Sequence, residues 1–361
     1  MLKERLSEIL IKYETRLEIA FFVGGFIFDV WMLAAPDEIF SIVQQIVYLL
    51  VIASLIHFEL LHRLQTWRPR KFILKIWPYR TFVLHFFLGS LLSVYSLFYI
   101  KSASFFSSFV FLLFMISLLF ANELPFVKKA NVSIKVGLYV ICLFSFLSIL
   151  FPILFGFVGF IPFLFSLSFT FALFYLQFMR LRMYITDNKL LTRVLMAPAA
   201  SVLSVFFIFY FLGWIPPVPL SVKTQGIYHF IEKKNGAYLL SFEPSWPNFL
   251  SDADKDFNAQ PGDKIYFFAQ IYSPARISDE VVIHWYQKNR KNNWELMDKI
   301  PLQIHGGREQ GFRGFASKSN YTAGSWKIEV RTSSGVEISR LYFDLKVTQA
   351  TLNRDFKIIT K

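Results

Sequence analysis

The chain changes character at Gly213-Trp214-Ile215-Pro216-Pro217-Val218-Pro219-Leu220. Most of the 44 phenylalanines precede this stretch, whereas the residues after it carry an ordinary share of charge. Three prolines within four positions cannot extend a helix and favour a stiff, extended polyproline conformation. We therefore interpret the stretch as a rigid collar between a membrane-embedded body and a water-soluble domain. The predicted parts are a transmembrane helical domain, the collar, an extracytoplasmic β domain and a tail, at residues 1–214, 215–220, 221–348 and 349–361.

The composition argues for a membrane protein. Hydrophobic residues make up 55% of the 361 residues, which is too high for a purely soluble chain of this size. The net charge of +13 is spread along the sequence without a basic stripe, so a nucleic-acid partner is not expected. The single cysteine, Cys142, lies in an apolar run and cannot form an intramolecular disulfide. Cys142 also has no charged neighbour in that run that would favour a reactive thiolate.

Seven apolar runs are long enough to cross a hydrocarbon core of about 30 Å. A cleaved signal peptide is an alternative for the first run, but the long charged head before it, Asp29 inside it and the runs after it disfavour that interpretation. The fifth and sixth runs could also form one re-entrant element. The predicted spans are 17–35, 39–61, 81–100, 105–121, 136–154, 160–178 and 194–214.

Lys and Arg are distributed unevenly among the short connections between these spans. Counting alternate connections gives seventeen cationic residues on one side and only Lys101 on the other. Cationic connections stay on the cytoplasmic side of a membrane. The sequence therefore predicts a multi-pass protein of the bacterial inner membrane, with a cytoplasmic N-terminus and a periplasmic C-terminal domain.

After Ser221 the hydrophobic period changes to two. Trp326, Ile328 and Val330 alternate with charged residues, for example, and further runs of this kind follow at short spacing. Turn sequences separate the runs, including Lys291-Asn292-Asn293 and Ser333-Ser334-Gly335. The pattern is typical of an all-β antiparallel sandwich of the immunoglobulin-like kind.

A family resemblance follows from several motifs in a fixed order. They are Pro216-Pro217-Val218-Pro219-Leu220, Gly226-Ile227-Tyr228-His229, Gly262-Asp263, His284-Trp285, Gly306-Gly307-Arg308, Gly311-Phe312-Arg313-Gly314-Phe315 and Gly324-Ser325-Trp326-Lys327-Ile328-Glu329-Val330. Over residues 215–348 the chain resembles the membrane-attached form of domain of unknown function 2914. Lys327 stands where the family is expected to have Arg, which is a mild departure. The resemblance implies a bacterial multi-span inner-membrane protein with a periplasmic β domain, and it implies no biochemical activity.

A glycine-rich stretch is the first candidate ligand site. Gly306 and Gly307 allow backbone N–H groups to approach an anion, and Arg308 and Arg313 could grip a carboxylate or phosphate. The alternative is a glycine-rich β turn whose arginines pair with neighbouring carboxylates. No Lys-Ser/Thr pair follows Gly311, so the stretch is not a P-loop.

His284 and Tyr286 form the second candidate ligand site. Consecutive side chains of a strand point to opposite faces, so with Trp285 in the core, His284 and Tyr286 face outward. Such a surface could bind a sugar or an acidic group, or His284 could be structural. His229, His284 and His305 match no zinc-binding spacing, so we predict no metal and no cofactor.

Aromatic side chains provide a third candidate, because they could stack on sugar rings. A sandwich core of this size would use most such residues, which is the alternative. The candidates are Trp246, Trp294, Tyr266, Tyr272 and Tyr286.

Polar residues inside the predicted spans are candidates for membrane function, because burying them in lipid is costly. Asp29 lies deep in the first span, and Gln44 or Gln45 on the second could hydrogen-bond to it. His57 and His85 lie nearer the cytoplasmic edge. One interpretation is a polar seam that passes protons or holds a lipid head group. The alternative is helix packing by Asp29 and snorkelling of residues near the edge, such as Glu59.

The sequence contains no paired carboxylates, catalytic triad or metalloprotease motif, so an enzyme is the less favoured interpretation. The leading hypothesis is a binding or assembly module that recognises an envelope glycan, an anionic ligand or an envelope protein. The alternative is a transporter or a lipid- or envelope-processing enzyme that works through the Asp29 seam. A sensor that couples the outer domain to the basic loops ranks last, since no output domain is visible.

Overall fold

The structure is a computed structural model. It describes residues 27, 31, 35–67, 71, 75, 77–128, 131–185, 187–243, 252–274, 278–305, 311–348 and 354–361. A helical first half is followed by a second half of β-strands, as predicted. The chain divides into two compact units, the first comprising 1–98, 112–147 and 168–205 and the second 99–111, 148–167 and 206–361.

Six of the eight described helices are long and apolar. A 3₁₀ turn, Trp77–Tyr79, precedes the helix that begins at Arg80, and a π-helical segment, Thr192–Met196, precedes the helix that begins at Ala197. The Asp187 side chain caps the short helix Asn188–Leu191 by accepting a hydrogen bond from the Leu190 N–H at 3.0 Å. The helices α1 to α8 are Ile39–Arg63, Arg80–Ser102, Phe105–Glu123, Pro125–Lys128, Val132–Phe155, Phe160–Arg182, Asn188–Leu191 and Ala197–Phe211.

Five described segments are long and apolar enough to cross a membrane. They are Ile39–Arg63, Trp77–Ser102, Val132–Phe155, Phe160–Arg182 and Asn188–Phe211. Helix α3 corresponds to the fourth predicted span, but its apolar segment Ser107–Glu123 is shorter than the others.

The predicted count of seven spans is therefore met only in part. The first predicted span, 17–35, lies almost entirely outside the described residues. The fifth and sixth spans, whose separation the sequence leaves open, are two distinct helices, α5 and α6.

The collar differs from the extended polyproline segment that its composition predicts. The Leu220 N–H donates to the Pro217 carbonyl at 3.0 Å, and the Val218 N–H donates to that of Pro216 at 2.8 Å. A polyproline helix contains no such internal hydrogen bonds, so the collar is a pair of tight turns. Its apolar side chains are buried, which favours compact turns over a solvated rod.

The β half contains three described sheets. The strands β1 to β11 are Ser221–Tyr228, Phe230–Lys234, Ala237–Phe242, Asp256–Ala259, Ile265–Tyr272, Ser278–Lys288, Trp294–His305, Phe312–Lys318, Gly324–Thr332, Glu337–Val347 and Lys357–Thr360. The strand orders in the three sheets are β1-β5-β8, β4-β10-β9-β6-β7 and β11-β3-β2. Most neighbouring strands are antiparallel, but β4 pairs with β10 in parallel.

Two of these sheets share one hydrophobic core, as a sandwich requires. Phe267 from the sheet β1-β5-β8 packs with Trp285, Trp326 and Phe343 from the five-stranded sheet. The sheet β11-β3-β2 contributes Leu240 to a second cluster, which also contains Tyr228 and Phe268 of the sheet β1-β5-β8. The prediction of a purely antiparallel sandwich is therefore incomplete. It misses the strands β4 and β11, which are too short to show a period of two in the sequence.

Candidate functional site

The outward side of the five-stranded sheet gathers polar and aromatic side chains. We call it the outer face, and its members are His284, Tyr286, Trp294, Lys327, Glu329, Arg331, Arg340 and Tyr342. Strand pairing sets His284 opposite Glu329 and Tyr286 opposite Lys327. Trp285, between the two predicted residues, is fully buried, whereas His284 and Tyr286 are partly exposed. The predicted orientation of these three residues is therefore confirmed.

Glu329 is the electrostatic centre of the outer face. Its side chain is only 1% exposed, and it accepts from Lys327 at 2.6 Å, Arg331 at 2.7 Å and Arg340 at 3.2 Å. Burial alone would raise the pKa of this carboxyl, but hydrogen bonds from Lys327 and Arg331 hold it below its ordinary value. One buried anion thus orders three cationic side chains on a single face.

Aromatic rings surround this charge cluster. The Lys327 ammonium lies 4.0 Å from the centroid of the Tyr286 ring and 5.3 Å from that of the Trp294 ring. The Trp294 and Tyr342 ring centroids are 5.6 Å apart. Rings of this kind stack on flat or apolar ligand faces, while the nearby cations attract acidic groups.

His284 contributes a neutral imidazole to the same face. Its Nδ1 atom lies 3.2 Å from the Tyr286 hydroxyl. Burial, followed by the charges of Arg331 and Lys299, lowers the pKa of His284. At neutral pH this side chain therefore offers hydrogen bonds rather than a positive charge.

None of the described contacts connects the glycine-rich candidate site to the outer face. Gly306, Gly307 and Arg308 lie outside the described residues. Arg313 lies on β8 and donates to the Gly236 carbonyl at 3.4 Å, with its guanidinium 5.9 Å from the Tyr238 ring. The described partners of Arg313 thus belong to a different sheet from the one that contains His284 and Tyr286.

A buried polar cluster in the β domain was not predicted from the sequence. His229 stacks on Phe257 at 4.0 Å, and its Nε2 lies 3.7 Å from Asp254 and 3.9 Å from Glu243. Arg354 pairs with Asp263 at 2.8 Å and approaches His229 Nδ1 at 3.3 Å. In the part of the chain that the structure describes, no three His, Cys, Asp or Glu residues are placed to hold a metal ion.

The predicted intramembrane residues find separate partners. Gln44 donates to the Tyr48 hydroxyl at 2.8 Å, and Gln45 to the Ser41 hydroxyl at 3.1 Å, each within α1. His57 lies 3.2 Å from Gln177 Nε2. Asp29 is outside the described residues, so its contact with Gln44 or Gln45 stays a prediction.

His85 belongs to a different polar contact. Its Nδ1 lies 2.8 Å from Asn122 Oδ1, and both side chains are buried. His57 and His85 thus contact different helices, α6 and α3, rather than each other.

A buried ion pair in the helical half differs from the expectation of snorkelling. Lys135 Nζ lies 2.9 Å from Glu59 Oε2, and both side chains are only 2% exposed. Arg63, one helical turn after Glu59, adds a second contact at 2.8 Å. Glu59 is therefore buried and paired, because α5 places a lysine beside α1.

The family comparison identifies part of the β domain. Residues 278–345 match the family described as a protein of unknown function, DUF2914. Residues 278–345 are thus similar to the DUF2914 family. The match confirms the resemblance over residues 278–345. It extends from β6 into β10 and contains all eight outer-face residues.

Other comparisons add little to this assignment. No curated protein matches the chain. Among solved structures, an immunoglobulin-like protein from Pseudomonas aeruginosa is 9% identical, with 36% of this chain and 98% of that one covered and a TM-score of 0.23. A β-glucosidase from Listeria innocua is 14% identical, with 34% and 17% covered and a TM-score of 0.21. An alkylpurine DNA glycosylase from Pseudomonas fluorescens is 9% identical, with 74% and 70% covered and a TM-score of 0.23. TM-scores this low carry no argument about the fold or function of this chain.

Proposed function

We propose that this chain is a bacterial inner-membrane protein whose periplasmic DUF2914 domain binds an acidic envelope glycan through its outer face. The observation that carries the proposal is the cluster of Tyr286, Trp294 and Tyr342 around cations ordered by Glu329. Sugar rings stack on aromatic side chains, and acidic sugar substituents suit arginine and lysine. An envelope protein with an acidic surface is the other partner of this chemistry and is an outcome of the test below.

The connections between helices that lie near the β domain support the proposed orientation. Within the second unit, the Ser104 hydroxyl donates to the Glu337 carboxylate, and Val158 joins the main β core. These residues belong to the α2–α3 and α5–α6 connections, which contain no Lys or Arg; the nearest cation in these two connecting regions is Lys101, in the last turn of α2. The cationic connections adjoin the opposite ends of the same helices, which favours a cytoplasmic location for them and a periplasmic one for the β domain.

Orientation can be tested separately from binding. A reporter enzyme that is active only in the cytosol is fused after Lys361. No activity is expected, because the β domain would be exported. Strong reporter activity would overturn the periplasmic assignment and with it the proposed ligand.

Binding can be tested with the detergent-purified full chain. Soluble acidic glycan fragments from the bacterial envelope are titrated into wild type, Tyr286→Ala and Trp294→Ala. Each substitution should weaken binding about tenfold, which corresponds to about 1.4 kcal/mol. The control is Phe230→Ala, which removes an exposed ring from a different sheet.

Two results would count against the glycan proposal. One is that the wild-type chain retains no glycan while it captures an acidic envelope protein. The other is that Phe230→Ala weakens binding as much as Tyr286→Ala, which would indicate non-specific loss of an aromatic surface.

A second candidate function lies in the helical half. Within the first unit, a cavity of about 450 Å³ is lined by apolar residues of α1, α5, α6 and the π-helical segment, together with Gln177 and Arg180. A neighbouring cavity of about 440 Å³ shares Gln177 and Arg180 and adds His57. An apolar cavity that ends in polar and cationic groups suits the acyl chain and acidic head of an amphiphile. This supports the transporter or lipid-processing alternative.

The two candidates make different predictions for one pair of variants. Asp29→Asn and Arg180→Gln should impair growth or envelope integrity if the membrane cavity is the working site. If both variants insert normally and behave as wild type while Tyr286→Ala is impaired, the outer face is the working site instead.

A further inference from the structure

The two neighbouring cavities of the first unit differ in the chemistry of their walls. The first, of about 450 Å³, is lined mainly by apolar side chains such as the buried Leu147 and Phe174, and we call it the apolar cavity. The second, of about 440 Å³, has five polar residues among the eight that line it, including His57 and Tyr184, and we call it the polar cavity. The residues that line both cavities are Ala53, Gln177 and Arg180.

The apolar cavity follows two helices over the depth of one membrane leaflet. Its lining residues on α1 begin at Ile46, eleven residues before His57, and those on α6 begin at Phe169, eleven residues before Arg180. Eleven residues rise about 17 Å along a helix, and half of a hydrocarbon core is about 15 Å thick. The apolar cavity therefore has the length of the acyl chains in one leaflet, and its polar end is the end at Arg180.

The volume of the apolar cavity fits a single acyl chain. An engineered apolar cavity of about 150 Å³ binds one benzene molecule, which has six carbon atoms. At the same density, a cavity of about 450 Å³ takes about eighteen carbon atoms. This is the size of one acyl chain of a membrane lipid, so a second chain does not fit inside.

The polar cavity offers hydrogen-bond donors to the head group of such a lipid. The Gln177 side-chain amide donates to His57 Nδ1 at 3.2 Å, so Nδ1 carries no proton and the proton of the imidazole is on Nε2. His57 Nε2 has no hydrogen-bond partner among the residues that the structure describes, which leaves this N–H for a ligand. The hydroxyl of Tyr184, an exposed side chain, is a second donor in the same wall.

Arg180 supplies the positive charge of the polar cavity. It is exposed, and within the described parts of the chain its guanidinium forms no ion pair. None of the eight described residues that line the polar cavity is Asp or Glu. A guanidinium binds a phosphate through two parallel hydrogen bonds. A carboxylate has only two oxygen atoms, whereas a glycerol phosphate has enough to accept from Arg180, His57 and Tyr184 together.

Arg180 also lies at the height of the lipid head groups. It is in the last turn of α6, two residues before the helix ends at Arg182. His57 is six residues before the end of α1 at Arg63. These helix ends adjoin the cationic connections, which the charge asymmetry assigns to the cytoplasmic side. A lipid whose head group contacts Arg180 therefore belongs to the cytoplasmic leaflet.

We propose that the two cavities together bind a glycerophospholipid of the cytoplasmic leaflet, with one acyl chain in the apolar cavity and the phosphate on Arg180 and His57. The proposal rests on the second candidate function, which assigns an acidic amphiphile to this region, and it names the head group, the number of enclosed chains and the leaflet. The lipid is either a lysophospholipid, which has one chain, or a two-chain phospholipid whose second chain stays in the bilayer. Both have the same phosphate, and the test separates them.

Native mass spectrometry of the full chain in a neutral detergent measures the binding of lysophosphatidylglycerol. Arg180→Gln removes the charge, and Ala53→Leu places a larger side chain where the two cavities meet. The matched control is Arg182→Gln, because Arg182 is exposed on the same helical turn and lines neither cavity. We expect about a tenfold loss of affinity in each of the first two variants and a change of less than about twofold in the control. Thermal unfolding temperatures equal to that of wild type show that the variants remain folded.

Two further lipids test the head group and the number of chains. Palmitate has a palmitoyl chain that ends in a carboxylate, and it should bind about tenfold more weakly than palmitoyl lysophosphatidylglycerol. If phosphatidylglycerol binds more tightly than lysophosphatidylglycerol, the ligand is the two-chain lipid. The reverse order identifies the one-chain lipid.

The proposal is overturned if Arg180→Gln binds both phospholipids as tightly as wild type, or if palmitate binds as tightly as they do. In the palmitate case an acidic amphiphile still occupies the cavities, so the second candidate function stands. If wild type binds none of the three lipids, both the proposal and the second candidate function fail. Arg180, His57 and Ala53 are not members of the outer face, so none of these results bears on the glycan proposal.

Discussion

His229 Nε2 lies 3.7 Å from Asp254 Oδ2, and both side chains are buried in the β domain. Burial, and then the charge of Arg354, lowers the pKa of His229 to about 4. Burial also raises the pKa of Asp254 to about 8, with a further contribution from Glu243. At neutral pH the pair therefore holds one proton, on the aspartic acid rather than on the histidine.

This pair predicts an unusual dependence of stability on pH. Between pH 4 and 6.5 folded His229 binds fewer protons than the unfolded chain, whereas folded Asp254 binds more, so their effects oppose each other. Between pH 6.5 and 8 the deprotonation of folded Asp254 outweighs the remaining titration of His229 in the unfolded chain, and the free energy of unfolding falls by about 1 kcal/mol as the pH rises.

Asp254→Asn should remove this alkaline decline, because the amide carries no titrating proton. Thermal unfolding of wild type and variant is measured at pH 6.5 and pH 8, and the difference between the two proteins isolates the residue. Asp263→Asn is the control, since Arg354 holds the pKa of Asp263 below its ordinary value and its titration lies well below pH 6.5. An Asp254→Asn variant that loses as much stability as wild type over this interval would contradict the assignment.

Glu329→Gln should destabilise the β domain by about 3 kcal/mol. The substitution leaves Lys327, Arg331 and Arg340 without the buried anion that they share, and unpaired buried charge is costly. Glu232→Gln, at an exposed position on β2, should change stability by less than about 0.5 kcal/mol. Denaturant unfolding followed by tryptophan fluorescence measures both, and equal effects would mean that Glu329 is not the centre of the cluster.

The sequence predicts the inward side of the five-stranded sheet well. Trp326, Ile328 and Val330 alternate with charged residues, and all three are fully buried. The turn at Ser333-Ser334-Gly335 does separate β9 from β10. These features depend on neighbours in the sequence, which is why local patterns capture them.

Contacts between distant residues are where prediction from the sequence fails. Glu59 and Lys135 are 76 positions apart, and their pairing depends on which faces of α1 and α5 meet. The same holds for Glu329, whose surrounding cations come from two strands. His284 and Tyr286 could be assigned to the outward side from periodicity, but the central role of Glu329 required the register of β9 against β6 and β10.

Removing either partner of the Glu59–Lys135 pair should destabilise the helical half. Glu59→Gln leaves the buried Lys135 ammonium without its partner, at a cost of about 3 kcal/mol, whereas Lys135→Met leaves Glu59 paired with Arg63 alone and should cost less. The double variant should lose less than the sum of the single losses, because no uncompensated charge remains at the pair. Thermal unfolding in detergent of the four proteins gives the coupling energy. Additive losses would mean that the two side chains do not stabilise each other.

Gly226 is a position where even one methyl group is too large. A Cβ there would lie 2.4 Å from the Cβ of Ala253 and 2.8 Å from the Tyr228 hydroxyl oxygen. Ala253 precedes Asp254, whose N–H donates to the Ile227 carbonyl at 3.1 Å, so relief of the clash would displace the segment that carries the buried carboxyl. Gly226→Ala should therefore destabilise the fold by about 1–3 kcal/mol.

The matched control for this substitution is Gly137→Ala. A Cβ at Gly137 meets nothing within 4 Å, and alanine is favoured over glycine inside a helix by about 0.5–1 kcal/mol. The two variants make the same chemical change, and thermal unfolding measures the melting temperature of each. We expect a lower melting temperature than that of wild type for Gly226→Ala, and an equal or higher one for Gly137→Ala.

Gly226→Ala should also reduce the change in stability between pH 6.5 and 8, because a displaced Asp254 regains contact with water and titrates closer to its ordinary pKa. If the melting temperature of Gly226→Ala were at or above that of wild type, Ala253 would not pack against Gly226 as it does in the structure.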